Sequence, residues 1–195
     1  MTWLLIPAKH STLAKSRLTP VLGAEARAVL ARLLLARLLS IAAQSAEVAE
    51  VLVISEDVGL QTIARLFGYP TISDPAPDLN LSLEAGRDYA LARGCTSLLV
   101  LPTDLPWLTS QALVALLRQS RGSEPQITIA RDRQGSGTNA LFQRPAGAIP
   151  FSFGPGSAQC HSALARRAGI PLMEVMDPAL SFDLDSPEDW ARLVA

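Results

Sequence analysis

Leu98-Leu-Val-Leu-Pro-Thr-Asp104-Leu-Pro-Trp107 is the stretch whose reading decides the fold. Four bulky apolar residues run without interruption to a proline, and a carboxylate follows at once. Strands buried on both faces of a parallel sheet read as such continuous apolar runs. Ligands of open α/β sheets sit just beyond the carboxyl ends of the strands. Asp104 therefore falls where a metal ion or a phosphate would lie. Pro106 stops a strand or helix from continuing and holds the carboxylate on a tight loop.

Working outward, strands and helices alternate. Apolar strands are expected at Trp3 to Ile6, Val51 to Ser55, Thr71 to Ser73 and Ser97 to Leu101. Helices are expected at Ala24 to Ala43, Val58 to Phe67 with Gly68 behind it, Leu81 to Ala92, and from a Thr109 cap through Arg118. Beyond residue 122 the spacing predicts strands at Gln126 to Ala130, Ala140 to Gln143 and Leu172 to Met176. A helix follows the loop Ser152-Phe-Gly-Pro-Gly-Ser157 and runs to about Ala168. Ser186-Pro-Glu-Asp189 reads as a capping box opening a last helix. This alternation predicts a sheet covered by helices on both faces. No repeat or linker breaks it, so residues 1–195 are expected to form a single domain.

Bulk properties narrow the function. The 195 residues are 49% hydrophobic but only 5% aromatic, so Leu, Val, Ile and Ala must fill the core. A net charge of -1 and a pI near 6.1 supply no field for nucleic acid or an anionic membrane. Val29 to Ala43 is rich in Leu and Ala, but Arg32 and Arg37 interrupt it and it is shorter than the roughly 20 apolar residues of a span. The amino terminus lacks a basic region and does not read as a signal peptide. Cys95 and Cys160 have no metal-ligand spacing, which points to a reducing cytoplasm.

Four constellations could carry chemistry. Lys9, Lys15 and Arg17 follow the first strand and could hold a triphosphate; the same pattern also suits a solvated basic loop, in which His10 would simply be hydrated. Neither a G-x-G-x-x-G nor a Walker A sequence accompanies them. Asp104, Asp183 and Asp185 form an acidic set. In an extended chain Asp183 and Asp185 share one face, and hard carboxylate oxygens suit Mg²⁺. Gly135-Ser-Gly-Thr-Asn139 and Phe153-Gly-Pro-Gly-Ser157 let backbone approach an anion, with Ser157 at a helix start and His161 one turn on. Asn80 is read either as a helix cap or as a contact to a base or ribose edge. Trp3, Trp107 and Trp190 stand too far apart in sequence to suggest a stacking platform.

Taken together, Ile6-Pro-Ala-Lys9, Ala14-Lys-Ser-Arg-Leu18, Leu79-Asn80, Leu101-Pro-Thr-Asp-Leu-Pro106, Gly137-Thr-Asn-Ala-Leu141, Phe153-Gly-Pro-Gly-Ser157 with His161, and Asp183-Leu-Asp-Ser-Pro-Glu-Asp189 resemble a known family. These are the 2-phospho-L-lactate or phosphoenolpyruvate guanylyltransferases of coenzyme F420 biosynthesis (CofC/FbiD). The resemblance covers nearly the whole chain. It implies a Rossmann-like nucleotidyltransferase fold of GT-A-like type, with a mixed, mostly parallel sheet. It also implies a reaction in which GTP and a phosphorylated three-carbon acid give a guanylylated acid and pyrophosphate. On this resemblance Thr138, Gly154 and Ser157 would contact the phospho-acid, and Asp104, Asp183 and Asp185 would bind Mg²⁺. Lys9, Lys15 and Arg17 would face the triphosphate, Lys15 and Arg17 acting in catalysis with Asp104, while Asn80 would contact the nucleotide. A homodimer is compatible with this reading, and the product would pass to a downstream F420-pathway transferase.

Two rivals remain at this level. One is another nucleotidyltransferase, of the molybdenum-cofactor or sugar-phosphate type; those usually carry a glycine-rich loop after the first strand, where this chain has Ile6-Pro-Ala-Lys9. The other is a non-catalytic nucleotide-binding protein on the same fold, which would have no need of all three aspartates. Phosphoenolpyruvate, 2-phospho-L-lactate and a phosphoglycerate differ by few atoms and are not distinguished by sequence.

Overall fold

A computed structural model describes residues 1–9, 15–73 and 78–195. His10, Ala14 and the stretch Asp74-Pro-Ala-Pro77 lie outside the described residues. The strands are β1 (Thr2–Pro7), β2 (Glu50–Ile54), β3 (Thr71–Ile72), β4 (Ser97–Val100), β5 (Gln126–Arg131), β6 (Thr138–Arg144) and β7 (Leu172–Val175). The helices are α1 (Ala24–Ala43), α2 (Val58–Leu66), α3 (Leu79–Leu91), α4 (Ser110–Gln119), α5 (Ser157–Ala168), α6 (Pro178–Ser181) and α7 (Pro187–Val194).

The strands form one sheet in the order β3-β2-β1-β4-β6-β5-β7. Every pairing is parallel except the two made by β6, so β6 alone runs against the rest. Because the sheet is covered on both sides, strand residues of either parity must be apolar. Leu4 and Ile6 of β1, with Val51 and Val53 of β2, pack into one core with α1, α2 and α4. Trp3 and Leu5, with Leu52 and Ile54, pack into a second core against α3 and α5. This is the expected mixed sheet with helices on both faces.

Local rules account for most boundaries. Asp57, Thr109 and Asp177 accept backbone N–H bonds at the starts of α2, α4 and α6. Ser186 and Asp189 make the reciprocal capping box of α7. Three boundaries differ from expectation. Asp78, not Asn80, caps α3, accepting from the N–H groups of Asn80 and Leu81. The strand β6 starts at Thr138, two residues early, because its pairing with Arg131 satisfies the backbone that the polar sequence suggested was loop. The short α6 and a 3₁₀ turn at Ser16–Leu18 were not foreseen. Among the described residues no helix is long and apolar enough to cross a membrane.

Topology puts the chemistry on one edge. The parallel strands β1 and β4 end there, delivering Lys9 and Asp104. The reversed β6 begins there, so Thr138 and Asn139 arrive at the same edge. The segment before α7 closes on it through a hydrogen bond from the Leu184 N–H to the Asp104 carbonyl, 3.0 Å long. Phe182 and Leu184 are buried while Asp183 and Asp185 are partly exposed, the alternation of an extended chain. Leu184 seats in a small core with Leu18 and Leu34. Leu184→Ala is expected to lower unfolding free energy by about 3 kcal/mol, measured by denaturant titration, since a fully buried leucine leaves a cavity.

Candidate active site

Lys15 is the centre of the first group of residues. Its backbone is left-handed at φ 55° and ψ 37°, immediately before the 3₁₀ turn. From there Nζ donates to Asp104 Oδ2 at 2.7 Å and to Asp185 Oδ1 at 3.1 Å. Arg17 stands 3.6 Å from the second oxygen of Asp185. The Lys15 side chain is 9% exposed, Asp104 23% and Asp185 43%, so the carboxylates face solvent more than the ammonium does. Burial alone would lower the Lys15 pKa, but the charges of Asp104 and Asp185 and their hydrogen bonds outweigh it and hold the ammonium above its ordinary value.

These groups open on a cleft of about 430 Å³ lined by Lys9, Lys15, Arg17, Thr103, Asp104 and Asp185, among others. Asp183 is not among the residues that line it. Burial, and then the charges of Asp185 and Asp104, push its carboxyl above the usual range, against bonds from its own N–H and from the Asn139 amide. The Asn139 amide also donates to the Leu180 carbonyl at 3.0 Å. Among the described residues no three His, Cys, Asp or Glu side chains are gathered into a ready cation cage. What the fold does bring together is a locally negative oxygen set, two members of it sharing one ammonium. A raised carboxyl beside two further carboxylates is a site short of positive charge, and its hard oxygens suit a divalent cation.

A second group lies around the start of α5. Gly154 at φ +133° and Gly156 at φ +71° take backbone shapes that side chains resist, which turns the chain into the helix. Ser157 is the first helical residue and Gly156 the cap. The N–H groups of Ser157 and Ala158 already donate to the carbonyls of Gly154 and Ser136, each at 3.1 Å. An anion here therefore meets hydroxyls before it meets those two amides, a departure from the expected helix-terminus cradle. Thr138 Oγ1 lies 3.1 Å from His161 Nδ1, and His161 Nε2 accepts from the Ser152 N–H at 3.1 Å. The Phe153 ring meets the imidazole edge-on, centroids 4.9 Å apart. His161 is fully buried, and burial lowers its pKa to about 4.

The Asn80 amide is engaged by the Phe153 backbone in this structure. Its Nδ2 donates to the Phe153 carbonyl at 3.1 Å, and its Oδ1 accepts from the Phe153 N–H at 2.7 Å. It clamps the second group to α3, directly after Leu79, which lines the cleft. Other contributors were missed at the sequence level. Trp107 stacks on Phe182 with centroids 3.8 Å apart and rings 17° from parallel, and Arg133 pairs with Asp189 at 2.7 Å. Both join segments distant in the chain, and no local pattern announces them.

Comparison with known proteins identifies the family and the fold. The family described as "Guanylyl transferase CofC like" matches residues 2–195. A phosphoenolpyruvate guanylyltransferase of Rubrobacter xylanophilus is 44% identical over 191 residues, covering 98% of this chain and 92% of that protein. One of Sphaerobacter thermophilus is 37% identical over 189 residues, covering 97% and 90%. Among solved structures, a putative nucleotide-diphospho-sugar transferase from Desulfovibrio desulfuricans superposes with a TM-score of 0.78 at 17% identity, covering 98% of this chain and 85% of that one. A 4-diphosphocytidyl-2C-methyl-D-erythritol synthase gives 0.65 at 18% identity, covering 98% and 95%. At such identities these two bear on the fold alone, which is that of the nucleotidyltransferases.

The lowered His161 pKa fixes a pH dependence. Between about pH 6.5 and pH 4 the unfolded chain protonates this histidine and the folded chain does not, so stability is complete above that window and declines as pH falls through it. The contribution lost by pH 5 is about 2 kcal/mol. Melting temperatures of wild type and His161→Gln, compared at pH 8 and pH 5, are expected to show a smaller acid-induced drop in the variant.

Proposed function

We propose that this chain, which belongs to the CofC-like guanylyl transferases and is a nucleotidyltransferase enzyme, moves GMP from GTP onto phosphoenolpyruvate and releases pyrophosphate. The phospho-acid is taken from the names of the relatives at 44% and 37% identity, and GTP from the family. The observation that carries the reading is the convergence of Lys15, Asp104 and Asp185 on one cleft at the carboxyl end of β1 and β4. The family to which the chain belongs favours transfer over mere nucleotide binding.

In this reading Lys9, Lys15 and Arg17 face the triphosphate, and Thr138, Gly154 and Ser157 hold the phospho-acid. A phosphate oxygen of the acid attacks the α-phosphorus of GTP, a P–O bond forms there, and the bond to the β-phosphate oxygen breaks as pyrophosphate leaves. No covalent enzyme intermediate is required. Both reactants are anions, so the residues act chiefly by offsetting repulsion and fixing an in-line approach. Asp104, Asp183 and Asp185 would hold a divalent cation, Mg²⁺ in our proposal, and it would supply charge neutralisation at the triphosphate. Lys15 and the exposed Arg17, which pair with these carboxylates here, would then be available to phosphate oxygens. Asn80 acts here by clamping the Phe153 loop rather than by reading a base. We assign the whole chain, residues 1–195, to one nucleotidyltransferase domain working in the cytoplasm, where the free thiols of Cys95 and Cys160 would persist. Its product would feed a downstream transferase of coenzyme F420 biosynthesis.

Asp104→Ala is expected to cut pyrophosphate release from GTP and phosphoenolpyruvate by about a hundredfold or more, with little change in melting temperature. Turnover near wild type in that variant would remove the acidic set from the mechanism. Ser157→Ala is expected to raise KM for phosphoenolpyruvate several-fold while KM for GTP holds, read from initial rates with each substrate varied in turn. Equal rises in both constants would detach Ser157 from the acid.

A further inference from the structure

The transfer reaction gives His161 no task, yet both of its ring nitrogens are engaged and the side chain is fully buried. A backbone N–H can only donate, so the nitrogen that faces Ser152, Nε2, must be the one with the lone pair. A neutral imidazole with its lone pair at Nε2 carries its proton at Nδ1. That proton points at Thr138 Oγ1, so the threonine hydroxyl accepts from the histidine. Its own proton is then directed elsewhere, and among the described residues the hydroxyl has no second partner.

We infer that His161 is a positioning residue for the acid substrate: by donating to Thr138 it leaves that hydroxyl's own proton for the ligand, selecting one rich in acceptor oxygens. The inference rests on the assignment of Thr138, Gly154 and Ser157 to the phospho-acid made above. Three connections run through this one ring. It bonds Thr138 directly. Through Ser152 N–H and the Phe153 ring edge it pins the chain just ahead of Gly154, where the Asn80 amide holds Phe153 from the other side. Being four residues after Ser157 on α5, it sits one turn below that hydroxyl on the same helix face. A hydroxyl free to rotate could turn its lone pairs toward an incoming carboxylate or phosphate and repel it. A hydroxyl already accepting from Nδ1–H presents its proton instead. The pocket thus distinguishes anions from neutral or donor-bearing ligands without placing a charge of its own beside the acid.

Two isosteric replacements separate the two bonds. His161→Gln can put an acceptor where Nε2 stands and keep Ser152, but offers no donor at the δ position. His161→Asn can put a donor there. His161→Gln is expected to raise KM for phosphoenolpyruvate about tenfold while KM for GTP changes less than twofold, the loss of one hydrogen bond to a charged ligand. His161→Asn should recover most of it, and His161→Gln combined with Thr138→Val should be no worse than Thr138→Val alone. Long-range ¹H–¹⁵N spectra of the wild-type protein should show a protonated Nδ1 and a bare Nε2 at His161. A protonated Nε2, an equal rise in both Michaelis constants, or multiplying effects in the double variant each overturn the inference. If His161→Gln does not fold, the spectrum and His161→Asn still decide. A wild type that shows the Nδ1–H form but no guanylyl transfer to phosphoenolpyruvate refutes the functional reading, and the ligand half of this inference with it. An active wild type with Nε2–H refutes this inference alone.

Discussion

Carboxylates placed side by side repel, and the fold depends on one ammonium to keep two of them together. Two like charges about 4 Å apart disfavour each other by about 4 kcal/mol at the effective dielectric of a protein surface. Lys15 Nζ turns that repulsion into two attractions at 2.7 and 3.1 Å. It does so from a left-handed backbone, a conformation that costs a non-glycine residue about 1–2 kcal/mol. The two ion pairs are what this strained backbone position delivers. The lysine that neutralises Asp104 and Asp185 is the same lysine that, on the proposed function, a triphosphate would attract. A divalent cation held by these carboxylates would supply the charge that the lysine gives up.

Direction of a single strand decides whether a second cradle can exist beside the first. In a wholly parallel sheet the residues at the carboxyl edge would be the last of each strand. Reversal of β6 brings its first residues there instead, and Thr138 and Asn139 are those residues. Adjacent residues of a strand point to opposite faces. Thr138 accordingly bonds His161 of α5, and Asn139 bonds the Leu180 carbonyl and the Asp183 carboxylate. One dipeptide thereby couples the phospho-acid group to the acidic group. The Asn80 clamp couples them again through α3.

Much of this was legible in the chain, and what was legible was local. Continuous apolar runs gave β1, β2 and β4, because burial on both faces leaves no room for alternation. Ser186 and Asp189 announced α7, since a capping box acts within four residues. The outward face shared by Asp183 and Asp185 followed from strand geometry alone. Contacts between distant residues were not legible. Asn80 looked like a cap because it precedes an apolar helical run; Asp78 takes that role, and the Asn80 amide goes to Phe153, 73 residues away. Trp107 gave no sign of a stacking partner in the sequence, yet it stacks on Phe182, distant in the chain. The start of β6 was hidden because a strand whose partner lies at Arg131 can carry polar residues that, read alone, look like a turn.

The two cradles solve the problem of holding anions in different ways, and the difference fits the order of charge in the reaction. In the first group the fold supplies full positive charges beside carboxylates. In the second it supplies hydroxyls and glycine turns backed by a histidine whose pKa burial lowers to about 4. A second set of fixed cations beside the first would bind the acid tightly, but it would also draw in triphosphate or pyrophosphate. Neutral donors bind an anion more weakly and depend more on geometry, so discrimination rests on the direction of each O–H. If the second group holds the acid as proposed, the burial of His161 excludes a fixed positive charge from it, and selection there falls to the direction of each O–H.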